Sequence, residues 1–123
     1  MGCWLGTWRN QYGSVVEITD DAGHAIKGVF RTALKDSGFY GQDVQISGVH
    51  RGDCISFAGA GSTPAGDMVV SYTGLLRDGR METLWYVAAD SMLTPPSDGA
   101  PAALKKTPWW RAMMTGADTF ERS

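Results

Sequence analysis

Apolar and polar residues alternate one by one along most of this chain, and no stretch of useful length carries a helical period. The run from Arg80 to Ala89 shows the habit most clearly. Successive strand residues point to opposite sides, so Met81, Thr83, Trp85 and Val87 share one face and Glu82, Leu84, Tyr86 and Ala88 the other. Similar runs span Trp4 to Asn10, Ser14 to Thr19, Ala25 to Ala33, Asp43 to His50, Cys54 to Ala58, Met68 to Leu76 and Met113 to Arg122. They are rich in Val, Ile, Thr, Tyr, Phe and Trp, and glycines separate them. Asp20-Asp21-Ala22-Gly23 reads as a turn, and Arg77-Asp78-Gly79-Arg80 holds the Asp-Gly pair that favours a two-residue hairpin. Gly59 to Gly66 reads as a loose segment. Asp90 to Pro108 reads as a long loop with Pro95-Pro96, Gly99 and Pro101, in which Ala102 to Lys106 is expected to form a helical turn.

Eight short strands joined mostly by short turns within 123 residues predict an all-β fold, an eight-stranded antiparallel up-and-down β-barrel forming a single domain over residues 1–123. Closure removes the exposed edges that would otherwise aggregate. A barrel of this size either fills with its own side chains or holds one small ligand.

The remaining composition narrows the function. The formal charge is -2, with no basic stripe, so nucleic acid is not an expected partner. No apolar run approaches the roughly 18 residues of a membrane-spanning helix. Cys3 and Cys54 lack C-x-x-C spacing, which leaves either one bridge or two half-buried thiols and argues against a zinc or redox motif. No leader-like segment precedes the first run, which fits a cytoplasmic protein or a mature secreted chain. His24 and His50 read as solvated residues near a turn and a strand end, Arg51-Gly52-Asp53 as a turn, and Lys105-Lys106 as a solvated loop. No catalytic residue, metal ligand or cofactor is expected.

Face assignment also bears on assembly. In the second run Val15, Glu17 and Thr19 look outward, while Ser14, Val16 and Ile18 look inward. In the sixth and seventh runs both faces are largely apolar, although a monomeric barrel would keep one polar. Another subunit is therefore expected on that side, in a homo-oligomeric dimer or tetramer.

Six segments, in order, carry a resemblance. They are Gly6-Thr7-Trp8-Arg9-Asn10-Gln11-Tyr12-Gly13-Ser14, Gly28-Val29-Phe30-Arg31-Thr32-Ala33, Ile46-Ser47-Gly48, Ser71-Tyr72-Thr73-Gly74, Thr83-Leu84-Trp85-Tyr86-Val87, and the ending Trp110 to Phe120 with Gly116-Ala117-Asp118-Thr119-Phe120. Together they resemble the avidin–streptavidin family of biotin-binding barrels along nearly the whole chain, as a divergent member. The resemblance implies that biotin's ureido oxygen would meet Asn10, Ser14 and the position of Phe30, where the family's Tyr hydroxyl is missing. The ureido nitrogens would meet Thr32 and Asp118. The aromatic box would be Trp85, Tyr72 and Phe57, with Trp110 arriving from a neighbouring subunit. Tyr12, at the family's hydrophobic position before Gly-Ser, would also be a ligand-binding residue. Met68 and Val70 stand where the family has hydroxyls for the sulfur and carboxylate ends.

Read from residue chemistry, Asn10, Ser14, Thr32 and Asp118 are polar groups aimed into an apolar core. Each costs about 1–3 kcal/mol unless a ligand or a trapped water meets it. An aromatic cavity with a few convergent polar groups is the usual small-molecule pocket. Each residue also has a plainer role. Trp8 reads as core; Trp85 and Tyr72 could fill the barrel, Asp118 could serve a turn, and Trp109-Trp110 could form a surface patch. The function expected is non-catalytic binding of biotin or a similar ligand, more weakly than in the tightest family members. The alternatives are a barrel retuned to another small ligand, or a small biosynthetic enzyme such as a cyclase or isomerase working through a buried carboxylate.

Overall fold

The computed structural model describes residues 4–35, 37, 39–93, 99, 101 and 103–123. Its strands are β1 (Gly6–Asn10), β2 (Val15–Asp20), β3 (Ala25–Arg31), β4 (Val44–Arg51), β5 (Cys54–Thr63), β6 (Gly66–Arg77), β7 (Arg80–Ala89), β8 (Ser91–Leu93), β9 (Leu104–Lys106) and β10 (Met113–Arg122). Eight of them form a closed barrel in the order β1-β10-β7-β6-β5-β4-β3-β2, every neighbouring pair antiparallel. The first and last strands meet at a seam that pairs Trp8 with Arg122, Arg9 with Glu121 and Asn10 with Phe120. Because the strands alternate in direction, the β1–β2, β3–β4 and β5–β6 connections and the β7–β10 segment share one end. The β2–β3, β4–β5 and β6–β7 turns share the other.

Alternation assigned the faces as the sequence suggested. Ser14, Val16 and Ile18 are buried, whereas Glu17 and Thr19 are not. Met81 and Thr83 face inward, and Leu84 and Tyr86 stand exposed on the outer wall. The Asp78-Gly79 turn has φ of 52° and 77°, so both central residues occupy the left-handed region that a tight twisted hairpin needs.

Three expectations change. Gly59 to Thr63 is not loose: it continues β5, pairing residue by residue with β6 from Gly59 opposite Val70 to Thr63 opposite Gly66. Glycine and small side chains hid the alternation there, but the backbone ladder does not need side chains. The helical turn expected over Ala102 to Lys106 is also absent as far as it is described: Leu104–Lys106 is β9, paired with β8 (Ala102 lies outside the described residues, as do Pro95 and Pro96). A piece that short cannot offset the cost of nucleating a helix, and pairing with Ser91–Leu93 gives its backbone groups partners. Cys54 is an exposed free thiol rather than a half-buried one, because it opens β5 at the turn end of the barrel. Cys3 lies outside the described residues.

The turn end is sealed by tryptophan. Trp4 and Trp8 are fully buried, and the Trp8 indole N–H donates to the Trp4 carbonyl at 2.9 Å. The Arg122 guanidinium sits 4.3 Å from the centre of a Trp8 ring, a cation–π contact that ties the last strand to the plug. Ile18, Ile26, Ile55 and Met81 are buried with them in one core cluster. The opposite end, called the open end below, carries the longer connections.

Strand approach sets a second requirement. A Cβ on Gly48 would stand 1.9 Å from the Ser56 carbonyl oxygen of the neighbouring strand, so only glycine lets β4 and β5 come this close. Gly48→Ala is expected to cost about 1–3 kcal/mol of unfolding free energy through overpacking. Urea denaturation followed by tryptophan fluorescence measures it. A variant as stable as the parent would contradict this account of the wall.

Candidate functional site

The polar residues of the interior are organised by Asn10, the last residue of β1. Its side-chain carbonyl accepts the backbone N–H of Tyr12 at 3.0 Å and of Ser14 at 2.9 Å. The main chain closes the same turn, with the Asn10 N–H donating to Ser14 O and the Gly13 N–H to Asn10 O. These bonds fix which way the amide faces, since its oxygen is held by two donors. Its NH2 group therefore points inward and donates to Asp118 Oδ2 at 3.0 Å.

Asp118 lies on β10 opposite Thr83 of β7. Its backbone carbonyl accepts the Thr83 hydroxyl at 2.8 Å. Gln11 donates to Asp118 Oδ1 at 3.3 Å and accepts the Thr119 N–H at 3.1 Å, which ties the β1–β2 turn to the last strand. Beside this pair, Ser14 Oγ accepts the Ala33 N–H at 2.8 Å and lies 3.5 Å from Thr32 Oγ1. Thr32 Oγ1 accepts the Leu34 N–H at 3.1 Å.

An aromatic cluster completes the interior. Tyr72 is buried, stacked on Phe57 at a 5.3 Å centroid distance, with Phe30 at 5.8 Å and the edge of Phe120 at 5.7 Å. Its hydroxyl donates to Asp118 Oδ2 at 3.4 Å. Burial pushes the Tyr72 phenol far above its ordinary pKa, and the negative charge and hydrogen bond of Asp118 push the same way. Val70 and Met68 are buried on the same strand, two and four residues before it. Trp85 is half-buried and packs against the core cluster.

The structure thus brings together Asn10, Ser14, Thr32 and Asp118 on the polar side and Phe30, Phe57, Val70, Tyr72 and Trp85 on the apolar side. Tyr12 and Trp110 stand apart from them, 59 % and 60 % exposed at the open end. Trp110 is capped only by the Arg111 guanidinium at 4.9 Å among the ring contacts of the described residues. One expectation is overturned. Asn10, Ser14, Thr32 and Asp118 do not wait for a ligand or water, because each is hydrogen-bonded to the protein itself. The one buried side-chain nitrogen or oxygen without a partner among the described residues is Trp4 Nε1, at the sealed end.

Two contributors escaped the sequence reading. Gln11 bonds Asp118, and its signal was only its place beside Asn10. Phe39 is buried in the β3–β4 connection, where a Cβ on Gly61 of β5 would meet its ring at 3.2 Å. An aromatic residue flanked by Ser37 and Gly41 in a polar loop was the available hint.

Two concavities are described on the outside of the barrel. One of about 840 Å³ lies on the outer wall, lined by residues such as Val49, Ile55, Leu75 and Leu84. The other, about 730 Å³, lies at the open end between Val69, Ala88, Trp109 and Met113. Asp118 lines the first of them, whereas Asn10, Ser14, Phe30, Phe57 and Tyr72 line neither. Among the described residues no cluster of His, Cys, Asp and Glu could hold a metal ion.

No protein-family model and no curated protein matches this sequence. Solved structures do match it. Core-bradavidin is 27 % identical with a TM-score of 0.69, covering 95 % of this chain and 97 % of its own. Rhizavidin in complex with biotin is 19 % identical with a TM-score of 0.70, covering 97 % and 91 %. Apo shwanavidin is 18 % identical with a TM-score of 0.72, covering 97 % and 95 %. The fold is therefore the avidin barrel, with the matches covering 95–97 % of this chain.

The raised Tyr72 pKa has a measurable consequence. An unfolded tyrosine ionises near pH 10. A phenol held above that value in the fold contributes stability that is complete below about pH 10 and is lost as pH rises further, because only the unfolded chain releases the proton. The melting temperature is expected to fall more steeply above about pH 10 in the parent chain than in Tyr72→Phe. Calorimetric melting from pH 8 to 11 measures it, and equal slopes would contradict the assignment.

Proposed function

We propose that this chain, an avidin-like barrel whose sequence resembles that family along nearly its whole length, is a small-molecule binding protein that takes biotin or a similar cyclic urea into its interior. The observation that carries the reading is the convergence of Asn10, Ser14, Thr32 and Asp118, drawn from β1, the β1–β2 turn, the residue after β3, and β10, in one corner of a largely apolar barrel. A urea oxygen needs donors, and Asn10 Nδ2 and the Ser14 hydroxyl supply them. Urea N–H groups need acceptors, and Thr32 Oγ1 and the Asp118 carboxylate supply those. The rings of Phe30, Phe57, Tyr72 and Trp85 would flank the remainder of the ligand. Rhizavidin, with the same fold, is solved with biotin.

The protein does no chemistry on its ligand in this reading. Asp118 is the one buried carboxylate among the described residues, and amide, hydroxyl and amide donors surround it. A general acid or base needs a free proton path to substrate, and nothing adjacent pairs with Asp118 for that purpose. A second reading, a barrel retuned to a different and more apolar ligand, draws support from Phe30, Met68 and Val70, where side chains without hydroxyls replace polar partners.

Assembly belongs to the same proposal. Val49, Val69, Leu75, Leu84 and Tyr86 are exposed on the outer faces of β4, β6 and β7. Large exposed apolar side chains gathered on one side of a barrel favour a partner surface, and a second copy of the chain, in a dimer or tetramer, is the proposed cover. Trp110, exposed on its own subunit, would then reach the site of the neighbour.

Two outcomes test this. Phe30, Met68 and Val70 remove three polar partners, so biotin affinity is expected to lie about two to six decades below the family ceiling, at roughly 1–3 kcal/mol per lost bond. Titration calorimetry measures it; affinity at the ceiling would contradict the placement of these residues, and no binding at millimolar biotin would contradict the ligand. Trp110→Ala is expected to leave ligand-free melting unchanged while dissociation accelerates, with a loss of about 2–4 kcal/mol typical of an aromatic hot spot. Unfolding of the variant without ligand would instead make Trp110 part of its own subunit's core.

A further inference from the structure

The bond between Tyr72 and Asp118 has a meaning for selectivity. A carboxylate oxygen offers about two acceptor positions. On Asp118 Oδ2, the oxygen turned into the barrel, Asn10 Nδ2 takes one at 3.0 Å and the Tyr72 hydroxyl the other at 3.4 Å. The second oxygen, Oδ1, is turned toward Gln11 on the partly exposed side. A donor entering from the interior therefore finds its acceptor already filled from within.

The two internal donors are not equally free to yield. The Asn10 amide is locked by the Tyr12 and Ser14 N–H groups on its other atom. The Tyr72 ring is caged by Phe57, Phe30 and Phe120, but its hydroxyl hydrogen turns about the C–O bond without moving the ring. Tyr72 is thus the donor that a ligand displaces. A phenol with an ordinary pKa near 10 is neutral across the physiological pH range, and burial raises that of Tyr72 further, so the hydroxyl remains a competitor there.

Resting on the reading of the interior as the binding site, we propose that Tyr72 is its specificity-determining residue: the hydroxyl occupies the place of a ligand N–H on Asp118. Only ligands with an N–H donor strong enough to replace it bind well. Ligands that approach Asp118 without such a donor leave the internal bond in place and gain nothing from the carboxylate. The chain thereby selects for urea-like or more strongly donating nitrogen heterocycles.

The experiment has two arms. Without ligand, thermal unfolding is compared for the parent, Tyr72→Phe, Asp118→Asn and the double variant. Tyr72→Phe should lower the melting temperature in the parent and do so less in the Asp118→Asn background, since the hydroxyl then has no carboxylate to bind. Equal effects in both backgrounds would overturn the inference. With biotin as the probe, Tyr72→Phe should tighten binding about tenfold, the low end for a hydrogen bond to a charged group, as suits its 3.4 Å length. Unchanged or weaker biotin binding, with the unfolding coupling present, would overturn the competition while leaving the binding site in place. If neither chain binds biotin although the coupling is present, the binding reading fails and the specificity role falls with it. The two failures are thereby distinguished.

Discussion

The hydrogen bond from Asn10 Nδ2 to Asp118 Oδ2 spans the seam where the first and last barrel strands meet. That seam has only three paired residues, against nine between β7 and β10, so side chains and ends reinforce it. Ser123 donates its N–H to the Thr7 carbonyl, Arg122 lies over Trp8, and Gln11 joins Asp118 and Thr119. Asn10 does two jobs at once. Its oxygen folds the β1–β2 turn and its nitrogen reaches across the closure. Removal of that amide would leave the buried Ser14 N–H and one position on a buried carboxylate without partners, at about 1–3 kcal/mol each.

From this constraint follows the state of the interior. A closed barrel aims every second strand residue inward, and six polar residues, Asn10, Ser14, Thr32, Tyr72, Thr83 and Asp118, stand in or beside an aromatic core. They are tolerated because they bond one another: Asn10 and Tyr72 to Asp118, Ser14 beside Thr32, Thr83 to the Asp118 carbonyl. Any ligand must therefore exchange bonds rather than supply missing ones, and the net gain per contact is small. In the proposed reading the apolar share of binding would then carry more weight, through Phe30, Phe57, Tyr72 and the half-buried Trp85. Weak affinity and dependence on a neighbour's Trp110 would, in that reading, be two sides of the same arrangement.

Much of this was legible in the residues. Period-two alternation assigned Met81 and Thr83 inward and Leu84 and Tyr86 outward, because a strand has only two faces. The order of the segments from Gly6 to Phe120 placed Asn10, Ser14, Phe30, Thr32, Phe57, Tyr72 and Asp118 in one barrel, and the fold brings those residues together. What stayed hidden was partnership. That Tyr72 donates to Asp118 depends on the register of β5, β6, β7 and β10, and no local pattern encodes the meeting of residues 46 positions apart. The end of β5 was missed because Gly59, Gly61 and Ser62 give alternation no contrast, and the β8–β9 hairpin because each strand has three residues. Phe39 was missed because burial of a loop residue depends on a gap in another strand, here at Gly61.

Native mass spectrometry of the purified chain, recorded with and without biotin, tests the central claim most directly, since it reads assembly and occupancy together. The account predicts a dimer or tetramer whose mass rises by up to one biotin per subunit, with partial occupancy at micromolar ligand and filling as biotin is raised. A monomer that takes up no biotin at millimolar concentration would contradict it.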